Sequence, residues 1–401
     1  MRIKKTCIYN ANIILPEQVI TGYILIDGSK ISEIGEIGLA RFNSDPDVTP
    51  VNAGGCYVMP GMIDMHCDAI EKEIQPRPNT QFPINMAFYE LEKKLAASGI
   101  TTMYHSLCLS DEWGVRDKDM VIAIINSINE LKQFRAMINH KIHLRYELTY
   151  LDGVSILEGL INEKSIDFMS YMDHTPGQGQ FKDAQSLKHF TIQSYGREER
   201  EIEAFLEKSQ DYRAMINWSK LIALAKLAKT KGIGLATHDD DTREKIDTLL
   251  ACKGRVSEFP INLDTALYAK SQGLHVCVGA PNIVRGRSHS NNMRAIDAIT
   301  GNAADIVCSD YLPGAMLPAL FHLIREGIKL PEAVKLVTAN PAGALGINQE
   351  VGTVEVGKQA DLIIVELHQD YPVVRQTLVG GTTVFQSDFQ LLNTERVDHI
   401  C

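Results

Sequence analysis

The chain has 401 residues and a mass of 44.6 kDa, with 45% hydrophobic and 22% charged residues. That balance excludes a disordered or fibrous protein and provides for one large core with a smaller module beside it. The formal charge is −10, the pI is near 5.7 and the longest basic cluster is Lys4-Lys5, which excludes long-range steering of a nucleic acid.

Residues 1–59 read as short strands joined by turns, with Asp27-Gly28 as a hairpin signal. The first apolar stretch is broken by Asn10, Asn12, Pro16 and Glu17, so a signal peptide is not expected. No apolar run reaches the roughly 18 residues of a spanning helix, and a cytoplasmic location with no membrane partner follows by default. From there, strand-like apolar runs at 57–63, 101–107, 142–148, 166–172, 233–237, 256–261, 274–279 and 306–309 alternate with helical spacing, as in 120–131 and 219–228. Eight βα repeats over this span predict an α/β chain whose centre, 60–349, is a (β/α)8 TIM-type barrel, a fold that typically takes about 250 residues. A doubly wound sheet is disfavoured because no Gly-x-Gly-x-x-Gly opens a helix. Strand patterns return after 350, with 377–385 as another hairpin, so 1–59 and 350–401 are expected to form one composite β-sandwich domain. The charged helical segment 178–217 is expected to be a lid or a dimer contact, a homo-oligomer being the usual state of such barrels.

Eight cysteines are scattered without a Cys-x-x-Cys pair and are expected to be buried reduced thiols. Cys67 lies between two candidate ligands, but on an extended strand it points to the opposite face.

In a barrel of this kind the chemistry sits at the C-terminal ends of the strands. Those ends carry His66 and Asp68, which share a strand face, then Glu147, Asp173-His174, His238-Asp239 and Asp310. A lone histidine at a strand end is more often structural than a ligand, but histidines and carboxylates gathered at one end of five strands call for a cation. His140, His189, His322, His368 and His399 read as surface residues. His143 and His275 read as strand-start residues far from the active face, and His105 and His289 as supporting or substrate contacts.

The run Pro60-Gly-Met-Ile-Asp-Met-His66 resembles the first barrel strand of the amidohydrolase superfamily, and Val337 to Leu345 with Gly352 to Leu362 resembles its closing segment. The strings Met172-Asp-His-Thr-Pro-Gly-Gln178, Thr237-His-Asp-Asp240, Gly279-Ala-Pro-Asn-Ile-Val-Arg-Gly286, Ser288-His-Ser-Asn291 and Ser309-Asp-Tyr311 are similar, more narrowly, to the diphosphatases of the carbon–phosphorus lyase pathway of phosphonate metabolism. Members of that family cleave α-D-ribose 1-alkylphosphonate 5-triphosphate to the 5-phosphate and pyrophosphate.

The resemblance implies a centre of one or two divalent ions held by His66, Asp68, Glu147, His174, His238 and Asp310, with Asp310 as general base. Asp68 stands where many relatives have a second histidine, and Glu147 where many have a carboxylated lysine. Oxygen-rich ligation favours Mn²⁺, Mg²⁺ or Zn²⁺, zinc or manganese foremost. The strand count puts His174 and His238 after strands four and five, whereas the superfamily usually uses five and six. Arg285 and Arg287 follow strand seven, a usual phosphate-holding region of the fold, and with Arg77, Asn282 and His289 are the candidates for binding a phosphorylated small-molecule substrate. Two plainer readings stand beside these: the arginines pair with Asp239, Asp240 or Asp241, or those aspartates cap the helix that follows. Hydrolysis of a cyclic amide or amine is the alternative activity, and a non-catalytic structural relative the alternative class.

Overall fold

The computed structural model describes residues 5–36, 46–175, 177, 179, 188, 198–288 and 292–389. Two eight-stranded sheets organise them. The strands of the first are β1 (Lys5–Ile14), β2 (Val19–Asp27), β3 (Lys30–Glu36), β4 (Val48–Asn52) and β5 (Tyr57–Pro60), joined from the other end of the chain by β14 (Leu362–His368), β15 (Tyr371–Val379) and β16 (Thr382–Gln386). The second runs in unbroken sequence order: β6 (Met62–Cys67), β7 (Ile100–Leu109), β8 (Asn139–Glu147), β9 (Phe168–Met172), β10 (Gly234–His238), β11 (Val256–Glu258), β12 (His275–Gly279) and β13 (Ile306–Cys308).

All neighbours in the second sheet are parallel. Helices return between them with amphipathic spacing. Lys118–Phe134 buries Val121, Ile124, Ile125 and Ile128 and is capped by Asp117, whose side chain accepts from Asp119 N. Trp218–Thr230 does the same with Leu221, Leu224, Ala225 and Ala228 under an Asn217 cap.

The apolar run read as one strand over 57–63 is two. Tyr57–Pro60 pairs with β14 and β1 in the terminal sheet, and Met62 starts the barrel. Gly61 makes the changeover because a Cβ there would lie 2.2 Å from the Thr101 side chain. The two expected hairpins are present as β2–β3, with Gly28 at φ 61°, and β15–β16. The terminal strands form one continuous hydrogen-bonded sheet, with Ile8, Ile13, Ile24 and Ile26 packed with Leu362 and Ile364.

The barrel closes at its upper end. Cys67 bridges Asp310, Asp310 N donates to His66 O at 3.0 Å, and Asp68 N donates to Asp310 O at 2.9 Å. Lower down the gap between first and last strands is filled by the chain itself, Ile63 N and Val307 N donating to the carbonyls of Val337 and Leu336. Phe168, Ala236, Val256, Cys277 and Ile306 cluster in the same core, so the lower barrel is a packed plug rather than a channel. Among the described residues no helix is long and apolar enough to cross a membrane.

Candidate metal centre and cavity

Period-two alternation sets the site. On β8, His143, Arg145 and Glu147 share one face, and all three are buried. Among the described residues, ligand-type side chains gather in two groups, each with its donor atoms within 4.8 Å of one another: His66, His143 and Glu258 in one, and His174, His238 and Asp239 in the other. The groups adjoin, since the His66 and His238 rings are 5.4 Å apart and the Phe259 ring meets both edge-on, at 4.9 Å and 5.1 Å.

In the first group His66 Nδ1 approaches Glu258 Oε1 at 3.2 Å and His143 Nε2 approaches Glu258 Oε2 at 3.8 Å. In the second, His238 Nδ1 is 3.2 Å from Asp239 Oδ2, and His174 Nδ1 is 2.9 Å from Glu147 Oε2. A guanidinium can only donate, so His238 Nε2 accepts from Arg145 Nη2 at 3.2 Å.

A divalent cation fits this donor set. His66 Nδ1, Asp68 Oδ1, Asp239 Oδ2 and both Glu258 oxygens are buried without a hydrogen bond among the described residues. Such buried polar atoms are costly unless an ion or ligand engages them. The mixture of imidazole nitrogen and carboxylate oxygen suits zinc and manganese and offers no thiolate, because Cys67 points away and is buried.

Burial lowers the tendency of His66 to protonate, with Arg145 adding to it, and brings His143 down to about 3. Both are thereby kept neutral, the form that ligates. Asp310 moves the other way: burial, then the charges of Asp68 and Asp239, push it up to about 8. A cation among these carboxylates favours the charged form of Asp310.

A cavity of about 480 Å³ opens above, with Asp68, Glu147, His174, His238, Asp239 and Asp310 on its surface. All six ligands read from the sequence therefore belong to the upper barrel, five of them on the cavity wall and His66 just beneath. His66, His174 and His238 fall within the two compact groups, while Asp68, Glu147 and Asp310 stand beside them. With eight strands in the barrel, His174 follows the fourth and His238 ends the fifth, as counted.

The phosphate-binding candidates separate. Asn282, Arg285 and Arg287 line the cavity. Asn282 is committed to its loop, donating to Met293 O at 3.1 Å and accepting from Ala295 N at 3.1 Å. Arg77 is exposed and does not line the cavity, its backbone engaged in a bridge with Thr80. His289 lies outside the described residues.

The aspartates that could have neutralised the arginines are otherwise engaged. Asp239 faces the histidines, Asp240 accepts from Thr237 and Ser257, and Asp241 pairs with Lys245 at 2.9 Å. None of them caps the next helix, where Thr242 holds that position.

The helix Glu199–Arg213 supplies Phe205, Leu206 and Ser209 to the same cavity lining. This is the described part of the segment expected to be a lid or dimer contact. It is held by Phe205 against Trp113, with ring centroids 5.2 Å apart, and by Arg213 Nε on Asp173 at 2.8 Å.

Sequence reasoning missed three site residues and misplaced one other histidine. His143, read as remote, is fully buried against His66 with rings 5.2 Å apart. Glu258 was hidden inside an apolar run read through to 261, whereas β11 ends at Glu258. Arg145 carried a signal that was available, since it shares parity with Glu147. His140, read as surface, is buried between His105 Nε2 at 2.9 Å and Glu92 at 3.1 Å.

The amidohydrolase family model matches residues 214–397. The chain is 30% identical over 383 residues, covering 94% of it and 100% of the relative, to the alpha-D-ribose 1-methylphosphonate 5-triphosphate diphosphatase of Escherichia coli. It is also 28% identical over 162 residues, 37% of the chain and 39% of the relative, to an imidazolonepropionase of Maricaulis maris. Among solved structures, dihydropyrimidinase from Brevibacillus agri superposes with a TM-score of 0.63 at 16% identity over 95% of each chain. With the full-length relative and the closed parallel barrel in agreement, the chain belongs to the amidohydrolase family and is a hydrolase.

Proposed function

We propose that the protein hydrolyses a phosphoric anhydride bond in an α-D-ribose 1-alkylphosphonate 5-triphosphate, giving the 5-phosphate and pyrophosphate in phosphonate breakdown. The observation that carries this reading is the wall formed by Arg285 and Arg287, which make no ion pair among the described residues and line a cavity floored by a cation-type donor set. The end-to-end similarity to the E. coli diphosphatase supports the substrate class.

His66, His143, His174, His238, Asp239 and Glu258 would hold one or two divalent ions, zinc or manganese, with Asp68, Glu147 and Asp310 beside them. Such an ion supplies Lewis-acid polarisation and a water acidic enough to ionise near neutrality. Asp310 accepts the proton of the attacking water, its oxygens reaching the space beside Gly279, where a Cβ would sit 3.4 Å from Asp310 Oδ2. The water oxygen bonds to phosphorus as the bridging oxygen departs with the pyrophosphate, and the proton held by Asp310 can pass to that oxygen. Arg285 and Arg287 neutralise the departing charge. Phe205, Leu206 and Phe259 limit the entry of bulk water.

A second reading, hydrolysis of a cyclic amide, is favoured by the partial match to an imidazolonepropionase. Product analysis by phosphorus NMR separates the two. Metal-loaded protein given the ribosyl triphosphate should yield pyrophosphate and a 5-phosphate. Ring opening of imidazolonepropionate or a dihydropyrimidine, with the triphosphate left intact, would replace this reading by the second.

A further inference from the structure

Arg145 is only 6% exposed, yet it lines the cavity. A guanidinium withdrawn from water requires acceptors for its five N–H groups, and within a protein these are normally carboxylates. Arg116, on the same cavity, meets that requirement with Glu71 at 2.9 Å, Glu112 at 3.4 Å and Asp68 at 3.8 Å. Arg145 does not. Among the described residues its hydrogen bond runs to the neutral acceptor His238 Nε2 at 3.2 Å, its Nε has no partner, and it forms no ion pair. The carboxylates of Asp239, Glu258 and Asp310 feel its charge through space without bonding to it.

We propose that Arg145 is a substrate-binding residue whose guanidinium, at the cavity surface, takes a non-bridging oxygen of the phosphoryl group under attack. The role rests on the phosphoric anhydride reading above. It assigns the arginines to two depths: Arg145 on the floor beside Asp310 and His238, holding the reacting phosphorus, and the exposed Arg285 and Arg287 on the wall, holding the pyrophosphate that leaves. A buried, preorganised and unneutralised cation is the arrangement that stabilises charge building on a phosphoryl oxygen, and the forked guanidinium fits two such oxygens where an ammonium fits one.

The test is calorimetric binding of inorganic pyrophosphate and inorganic phosphate to the metal-loaded protein, to Arg145→Met and to Arg145→Lys. Metal per chain by elemental analysis and Tm are measured on the same samples. The unaltered protein should bind both anions, Arg145→Met should bind inorganic phosphate at least about tenfold more weakly with pyrophosphate binding and metal content retained, and Arg145→Lys should fall between. Unchanged phosphate affinity in Arg145→Met overturns the inference and leaves the diphosphatase reading standing. Loss of metal and fold in both variants also overturns it, because the guanidinium then serves internal charge balance. Absence of phosphate binding by the unaltered metal-loaded protein overturns the inference, and absence of pyrophosphate binding as well overturns the reading it rests on.

Discussion

At the scale of single residues, Asp310 carries the clearest expectation. It sits at φ 62°, a left-handed conformation that is strained for a residue with a Cβ, and its backbone is locked on both sides to the end of β6. The carboxylate is therefore presented to the cavity by main-chain bonds rather than by its own side-chain contacts. Asp310→Asn should retain the fold and lower kcat by about 10²–10⁴-fold, the range for loss of a general base, as read from steady-state kinetics with metal content measured in parallel. A variant with unchanged kcat would remove Asp310 from the chemistry.

The histidines and acids at strand ends were legible because they interrupt apolar runs. Arg145 and His143 were not, because barrel shear brings an interior position of one strand level with the end of another, and Glu258, which ends β11, was masked by the apolar residues that follow it. Distance from a strand end in sequence therefore does not report depth in the barrel. Parity does, and the alternation His143, Arg145, Glu147 held that information once Glu147 was placed inward.

Among elements, the seam between barrel and terminal sheet depends on Asp361. Its side chain accepts from Gly380 N at 2.7 Å and Asn139 Nδ2 at 3.1 Å, and its carbonyl accepts from Gly61 N at 2.8 Å at the point where the chain crosses between sheets. Asp361→Ala leaves the Gly380 N–H unmatched, while Asn139 Nδ2 keeps the Thr101 carbonyl at 3.2 Å, and should cost about 1–3 kcal/mol, seen as a lower denaturation midpoint with metal content intact. The helix Glu199–Arg213 presents the opposite case: with Ile202 and Leu206 its buried residues, it is more loosely held than the barrel helices. Trp113→Ala removes the Phe205 ring contact, worth about 0.5–1.5 kcal/mol. Protease cleavage within the helix should speed up by about two- to tenfold while global Tm changes little; unchanged cleavage would show that the helix is anchored elsewhere. Strand count and order were readable from the run of apolar segments, whereas the division of 57–63 between two sheets was not, because both halves are equally apolar and only the close approach of Thr101 to Gly61 marks the change.

For the whole molecule, the upper barrel concentrates negative charge in low dielectric while the lower barrel is packed and apolar. An ion bound by the native state and not by the unfolded chain adds about 2.7 kcal/mol at a hundredfold excess over Kd. Chelation should therefore lower Tm and leave secondary structure in place, and zinc or manganese should restore Tm in calorimetry; equal Tm values with and without chelator would argue against a buried ion.

The central claim, that this barrel hydrolyses a phosphoric anhydride with metal assistance, is tested most directly by pyrophosphate release from α-D-ribose 1-methylphosphonate 5-triphosphate, before chelation, after it, and after metal is returned. Release that stops on chelation and resumes with zinc or manganese is the expected result. A metal-replete protein that leaves the triphosphate intact, or releases pyrophosphate equally well under chelator, would contradict it.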